Sequence, residues 1–99
     1  MFCTKIHKSY RKVVAICDSE LIGKKFEDEK RQLDLRENFY KNIEINGVQL
    51  RKLIKVEIVE DATFNIVGKE SVKIALEEGI IAKEGVSEIS GIPFALKLL

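Results

Sequence analysis

Asn65-Ile66-Val67-Gly68-Lys69-Glu70 runs into Ser71-Val72-Lys73-Ile74-Ala75-Leu76-Glu77-Glu78-Gly79, and the reading of this stretch decides the fold. Val72, Ala75, Leu76 and Gly79 recur at the spacing of one helical face with Ile74 beside them. Lys73 and Glu77 make an i, i+4 pair, and Gly79 is a natural stop, so the spacing predicts a helix over 69–78. Gly68 opens that helix. Asn65 and Gly68 are read first as the cap and turn that lead into it, and second as a binding element. The second reading follows because a helix start presents unpaired N–H groups to an anion or a partner's carbonyl. Gly68-Lys69-Glu70-Ser71 is not a phosphate-binding loop, because Glu70 stands where Ser or Thr is needed and Thr63 where the first Gly is needed.

Toward the N-terminus, 2–8 and 12–17 alternate as the strands of a hairpin. A three-residue loop at Ser9-Tyr10-Arg11 puts Phe2, Ile6, Val14 and Ile16 on one face and sets Cys3 opposite Cys17, whereas a two-residue loop separates the cysteines. These two cysteines are either reduced, half-buried thiols or a disulfide of the kind tolerated in hyperthermophile cytosol. With His7 the only histidine, a metal site is not expected. His7 reads as a strand residue. Cys17-Asp18 closes the second strand, a position where functional side chains are often displayed, but no base is visible to activate the thiol. Asp18 to Gly23 then reads as a cap, one short turn and a glycine stop.

Arg31 to Arg36 alternates through Leu33 and Leu35 as a third strand, with Phe39-Tyr40 as a bulky anchor after it. Between 42 and 62 two readings compete. Asn46-Gly47 between Ile43/Ile45 and Val48/Leu50 is a hairpin signal, yet Asn46 also suits the N-cap of a helix carrying Leu50, Leu53, Ile54, Ile58 and Ala62. Propensity leaves both open. Val86–Ile89 and Phe94–Leu98 read as short strands around Gly91-Ile92-Pro93, where the sole proline marks a corner near a sheet edge. Phe94, Leu96 and Leu98 share one side of the terminal strand with Leu99 free at its tip, an apolar row that a homodimer would cover.

The chain has 99 residues, 45% of them apolar, which suits one domain over 1–99 with one core. Its longest apolar runs are far short of the roughly 20 residues that span a bilayer. Lys5, His7 and Lys8 interrupt any apolar signal segment, so a cytoplasmic protein is expected. Charged residues reach 33% with Lys and Glu prominent, a bias like that of thermophile surfaces. The net charge is only +1, but Lys5, Lys8, Arg11, Lys12, Lys24 and Lys25 crowd the first 25 residues against Asp18 and Glu20. These six form either a basic edge for RNA or part of a solvated mixed-charge surface. Aromatic residues total 7%, without the paired platform of an RNA-recognition motif.

Val13-Val14-Ala15-Ile16-Cys17-Asp18, Leu21-Ile22-Gly23-Lys24, Phe39-Tyr40, Asn65-Ile66-Val67-Gly68 and Gly91-Ile92-Pro93, in this order, resemble the archaeal domain-of-unknown-function family 424 over most of the chain. That resemblance implies an amphipathic helix before the Asn65 segment, and so a largely helical 48–62. It carries no assigned reaction. Where the family tends to continue with His-Ala-Gln, this chain has Phe94-Ala95-Leu96, so a shared role would rest on Cys17, Asp18, Asn65 and Gly68. The family's association with translation genes implies a connection with RNA or the ribosome.

The expected fold is α+β: one small two-layer domain, a mostly antiparallel sheet with two helices on one face, near 48–62 and 69–78. The expected function is a non-enzymatic binding module docking on RNA or the ribosome through the basic edge, with no cofactor, no metal and no membrane. Two alternatives stand beside it. One is a small enzyme or ligand-binding protein with a cleft gathering Cys17, Asp18, Asn65 and Pro93, with Lys24 and Gly68 as further binding residues. The other is a protein–protein adaptor.

Overall fold

The structure, a computed structural model, describes residues 1–98. It is a single α+β domain whose six-stranded sheet has the order β5-β1-β2-β6-β8-β7. β1 (Phe2–His7) and β2 (Val13–Asp18) form the expected hairpin, with Cys3 opposite Cys17 and His7 opposite Val13. Both thiols are free and buried. β6 (Thr63–Val67) lies beside β2, and this contact is parallel while the other pairings in the sheet are antiparallel. Flanked by β2 and β8 (Ile92–Lys97), with Phe64, Ile66 and Val67 buried and Thr63 and Asn65 half-buried, β6 is an interior strand that local alternation did not reveal.

The contest over 42–62 resolves into a strand and a helix. β5 (Ile43–Ile45) pairs with β1, and α2 (Gly47–Val59) follows at once. Asn46 has φ −89°, so the chain makes no Asn-Gly turn there. Instead the Asn46 side chain accepts from Gln49 N–H at 2.8 Å while the Gln49 side chain accepts from Asn46 N–H at 2.9 Å. This reciprocal box, worth about 1 kcal/mol, commits the segment to helix. The helix ends at Val59, three residues short of the expected 62, and Ala62 is buried in the core beyond it.

α2 and α3 (Lys69–Glu77) cover one sheet face. Phe2, Val14, Ile16, Phe64 and Ile66 from the sheet meet Leu50, Ile54, Val72, Ile74 and Ala75 from the helices. The opposite face is not bare. Ala15, Cys17 and Val67 pack there under Leu21, Leu35 and Tyr40. Those covers come from a 3-10 turn at Ser19–Leu21, α1 (Glu37–Tyr40) and a two-stranded ribbon of β3 (Lys25–Glu27) and β4 (Gln32–Asp34). The strand expected over 31–36 is thus real, but it belongs to this separate ribbon, where Leu33 stands opposite Phe26.

Pro93 is not a corner. It sits inside β8 opposite Glu88 of β7 (Ser87–Ile89), while the turn is made by Ser90 and Gly91 at φ 52° and 79°. Proline is tolerated because its carbonyl points toward β6, accepting from Gly68 N–H at 2.9 Å. Among the described residues no helix is long and apolar enough to cross a membrane.

Candidate functional site

At the expected cleft, the end of β2 forms a structural clamp, with a small pocket of about 280 Å³ beside it lined by Asp18, Glu20, Leu21, Lys69, Glu70 and Ile92. Asp18 is buried, and its carboxylate accepts from Ser71 N–H at 2.8 Å, Ser71 Oγ at 2.6 Å and Glu70 N–H at 3.1 Å. It therefore caps α3 from across the fold, and the anion seat at that helix start holds the chain's own carboxylate. Gly68 makes this possible. At φ +114°, a Cβ there would lie 2.3 Å from the Asp18 carboxyl carbon. Asp18, Gly68 and Pro93 are thus brought together, the Asp18 carboxylate bonded to Glu70 and Ser71 and the Pro93 carbonyl accepting from Gly68 N–H.

Cys17 is fully buried, and its thiol donates to the Asp18 carbonyl at 3.3 Å. Burial, reinforced by the Asp18 charge, pushes that thiol up to about 12, so it stays protonated at neutral pH. Asn65 lies on the same sheet face but opens elsewhere. Its Oδ1 accepts from the Tyr40 hydroxyl at 3.4 Å, and it lines a shallow cleft with Phe39, Phe94, Leu96 and Arg36 that excludes Cys17 and Asp18. Burial also raises Tyr40, to about 12. No single cavity joins Cys17, Asp18, Asn65 and Pro93.

The six basic residues do not form one edge. Lys24 and Lys25 leave the Asp18 end of β2 and lead into β3, whereas Lys8, Arg11 and Lys12 sit at the opposite end, around the β1–β2 loop. Lys12 is neutralised. Glu60 at 2.9 Å and Glu57 at 3.1 Å hold its ammonium above the ordinary range. Lys5 donates to the Asn38 carbonyl at 2.6 Å. At the loop tip Tyr10 is 99% exposed between Ser9 and Arg11, and Lys8 and Arg11 are exposed on either side of it.

A second open surface lies along β1. Ile6, Ile43, Ile45, Leu53 and Val56 line a groove of about 620 Å³ between β1, β5 and α2, with Lys5, Lys8 and Lys52 around it. Sequence reasoning missed the contribution of α2 to this groove. The available signal was Val56, an exposed valine on a helix whose buried face is already supplied by Leu50 and Ile54.

A family described as "Protein of unknown function (DUF424)" matches residues 6–98. A solved structure, the crystal structure of an uncharacterized conserved protein from Methanopyrus kandleri, superposes with a TM-score of 0.85 at 22% identity, covering 96% of this chain and 88% of that one. At that identity the likeness speaks for the fold. No curated protein matches the sequence.

Proposed function

The chain belongs to the DUF424 family of proteins of unknown function, and from that premise we propose that it is a non-enzymatic binding module that docks on RNA through the tip of the β1–β2 hairpin. The observation that carries this reading is Tyr10, 99% exposed beside Arg11 and close to Lys8. An aromatic ring held wholly in solvent gains nothing for the fold. Set between cations, it offers a stacking face for an unpaired base while Lys8 and Arg11 meet the flanking phosphates. The reading narrows the expected six-residue edge to one end of the hairpin, because Lys12 is spent on Glu57 and Glu60 and Lys24 and Lys25 lie at the other end of β2.

Two or three phosphate contacts on single-stranded RNA give a slope of log affinity against log salt of about −1.4 to −2. Titration with an oligouridylate across salt concentrations, together with co-sedimentation with ribosomes, tests this. Absence of binding at low salt in both assays refutes it.

A specific observation also favours self-association. β7 stops opposite Phe94, so among the described residues the outer edge of β8 from Ala95 to Lys97 has no neighbouring strand. Leu96 and Leu98 are 57% and 65% exposed. An antiparallel pairing of two such edges about a two-fold axis closes both, and light scattering at micromolar concentration would then show twice the 11.3 kDa chain mass. Leu99, expected free at the tip, lies outside the described residues.

A further inference from the structure

β5 pairs with β1 only as far as Ile43 opposite Thr4, so the second half of β1 has no strand on its outer side. The Asn42 N–H donates to the Thr4 carbonyl at 2.9 Å, which shows that the main chain of Thr4 faces outward to β5. Strand alternation then turns the N–H and C=O of Ile6 outward as well, away from β2. Beside this open edge is the groove of about 620 Å³ between β1 and α2. Its floor is apolar, from Ile6, Ile43, Leu53 and Val56, and its lining includes Lys8 and Lys52, with Lys5 already donating to the Asn38 carbonyl, and no carboxylate among the described residues. Other cations on or beside α2 are paired, Arg51 with Glu77 and Glu78, Lys55 with Glu78, and Lys12 with Glu57 and Glu60. Lys8 and Lys52, by contrast, make no ion pair among the described residues, so the cations at the rim of this groove are not already neutralised.

We propose that this groove takes an extended acidic segment of a partner protein, added as a strand to the free edge of β1. Its main chain pairs with Ile6, apolar side chains at every second position fill the floor, and its carboxylates meet Lys8 and Lys52. A second copy of this chain is a poor occupant here, because a two-fold pairing through β1 sets the same lysines against each other. The proposal goes beyond the RNA reading and uses a different surface, with Lys8 alone common to both.

The test uses a short peptide alternating valine with aspartate, its counterpart alternating valine with lysine, and an oligouridylate, each titrated by calorimetry against the full chain. The expected result is binding of the aspartate peptide, weakened about tenfold or more by Lys52→Glu and by Val56→Glu and unchanged by Tyr10→Ala. Both substituted groove residues are solvent-exposed, Val56 at 57%, so the variants are expected to fold, which circular dichroism checks. Lys52→Glu should also improve binding of the lysine peptide. Hydrogen exchange at the Ile6 amide should slow when the aspartate peptide is bound. Four outcomes overturn the proposal: no binding of the aspartate peptide, equal binding of both peptides, an Ile6 amide left unprotected, or an oligouridylate whose binding is lost with Lys52→Glu and retained with Tyr10→Ala. A doubled mass that Val56→Glu abolishes overturns it too, by giving the groove to a second copy.

Discussion

The two ends of β2 carry similar raw material and put it to opposite uses. At one end Asp18 stands beside a glycine-opened helix start, a combination that in isolation suggests an anion or ligand site. The carboxylate there is matched within the chain, because it takes up Glu70 N–H, Ser71 N–H and the Ser71 hydroxyl. At the other end the turn holds only one side-chain bond of its own, Ser9 Oγ donating to the Arg11 carbonyl at 2.8 Å, and leaves Tyr10 in solvent. The difference teaches that a functional-looking motif must be asked whether the fold has already supplied its ligand. The clamp ties β2 to α3, and the tip leaves its aromatic ring in solvent.

The largest effect should come from breaking the clamp. Gly68 combines φ +114° and ψ 154°, a region reserved for glycine, with Asp18 where a Cβ would stand. Gly68→Ala should therefore cost more than about 3 kcal/mol, or prevent folding. Asp18→Ala, which leaves the start of α3 without its buried acceptor, should cost about 3 kcal/mol, and Asp18→Asn less, since an amide oxygen keeps part of the bonding. Urea midpoints of the three variants should fall in that order. An Asp18→Ala protein as stable as wild type would mean that the clamp is not what secures this end of β2.

That clamp marks the limit of what the sequence made legible. The hairpin register was readable because both strands and their loop are local, and Cys3 does face Cys17. The helix beginning at Lys69 was readable from its apolar stripe, of which Val72 and Ala75 are buried with Ile74 beside them, while Leu76 is half-buried, Gly79 is exposed and the buried Ser71 was not foreseen. The partnership of Asp18 with Ser71 was not, because 53 residues separate them and nothing local in either segment names the other. Read locally, Asp18 caps its own 3-10 turn, but its side chain makes no bond there. β6 was hidden for a related reason: Thr63-Phe64-Asn65-Ile66-Val67 is flanked by strands on both sides, and its parallel pairing with β2 depends on the long crossover through β5 and α2. The split of the basic residues between the two ends of β2 follows from the length of that strand, which proximity in sequence conceals.

An intermediate effect should appear on raising the pH, since the sheet face that carries Cys17 and Asn65 buries two acids. The Cys17 thiol has an ordinary value of 9.0 and the Tyr40 hydroxyl 10.0, and the folded chain raises each to about 12. The folded state thus keeps protons that the unfolded chain has already released. Stability is intact below pH 9 and falls as pH rises from there toward 12, by at most about 1.4 kcal/mol per pH unit for each group. Denaturation midpoints between pH 8 and pH 11 should show this decline, and Cys17→Ala should remove the part that begins near pH 9. A flat profile in the wild type would mean that these groups are solvated despite their burial.

The smallest effect on stability should come from the exposed tip, where the consequence for binding is the largest. Tyr10 makes no packing contact that solvent does not replace, so Tyr10→Ala should shift the urea midpoint by less than about 0.5 kcal/mol. Loss of a stacking face should weaken oligouridylate binding by about 1–3 kcal/mol, which is five- to more than a hundredfold. Arg11→Ala should separate charge from stacking, because it removes one phosphate contact and makes the salt slope shallower by about 0.7, whereas Tyr10→Ala should leave the slope unchanged. Gly68→Ala and Tyr10→Ala would then stand at opposite corners, one unfolding the chain and the other leaving it folded and unable to bind. If Tyr10→Ala instead lowers stability by as much as Asp18→Ala, the ring is part of the fold, and the contrast between the two ends of β2 disappears.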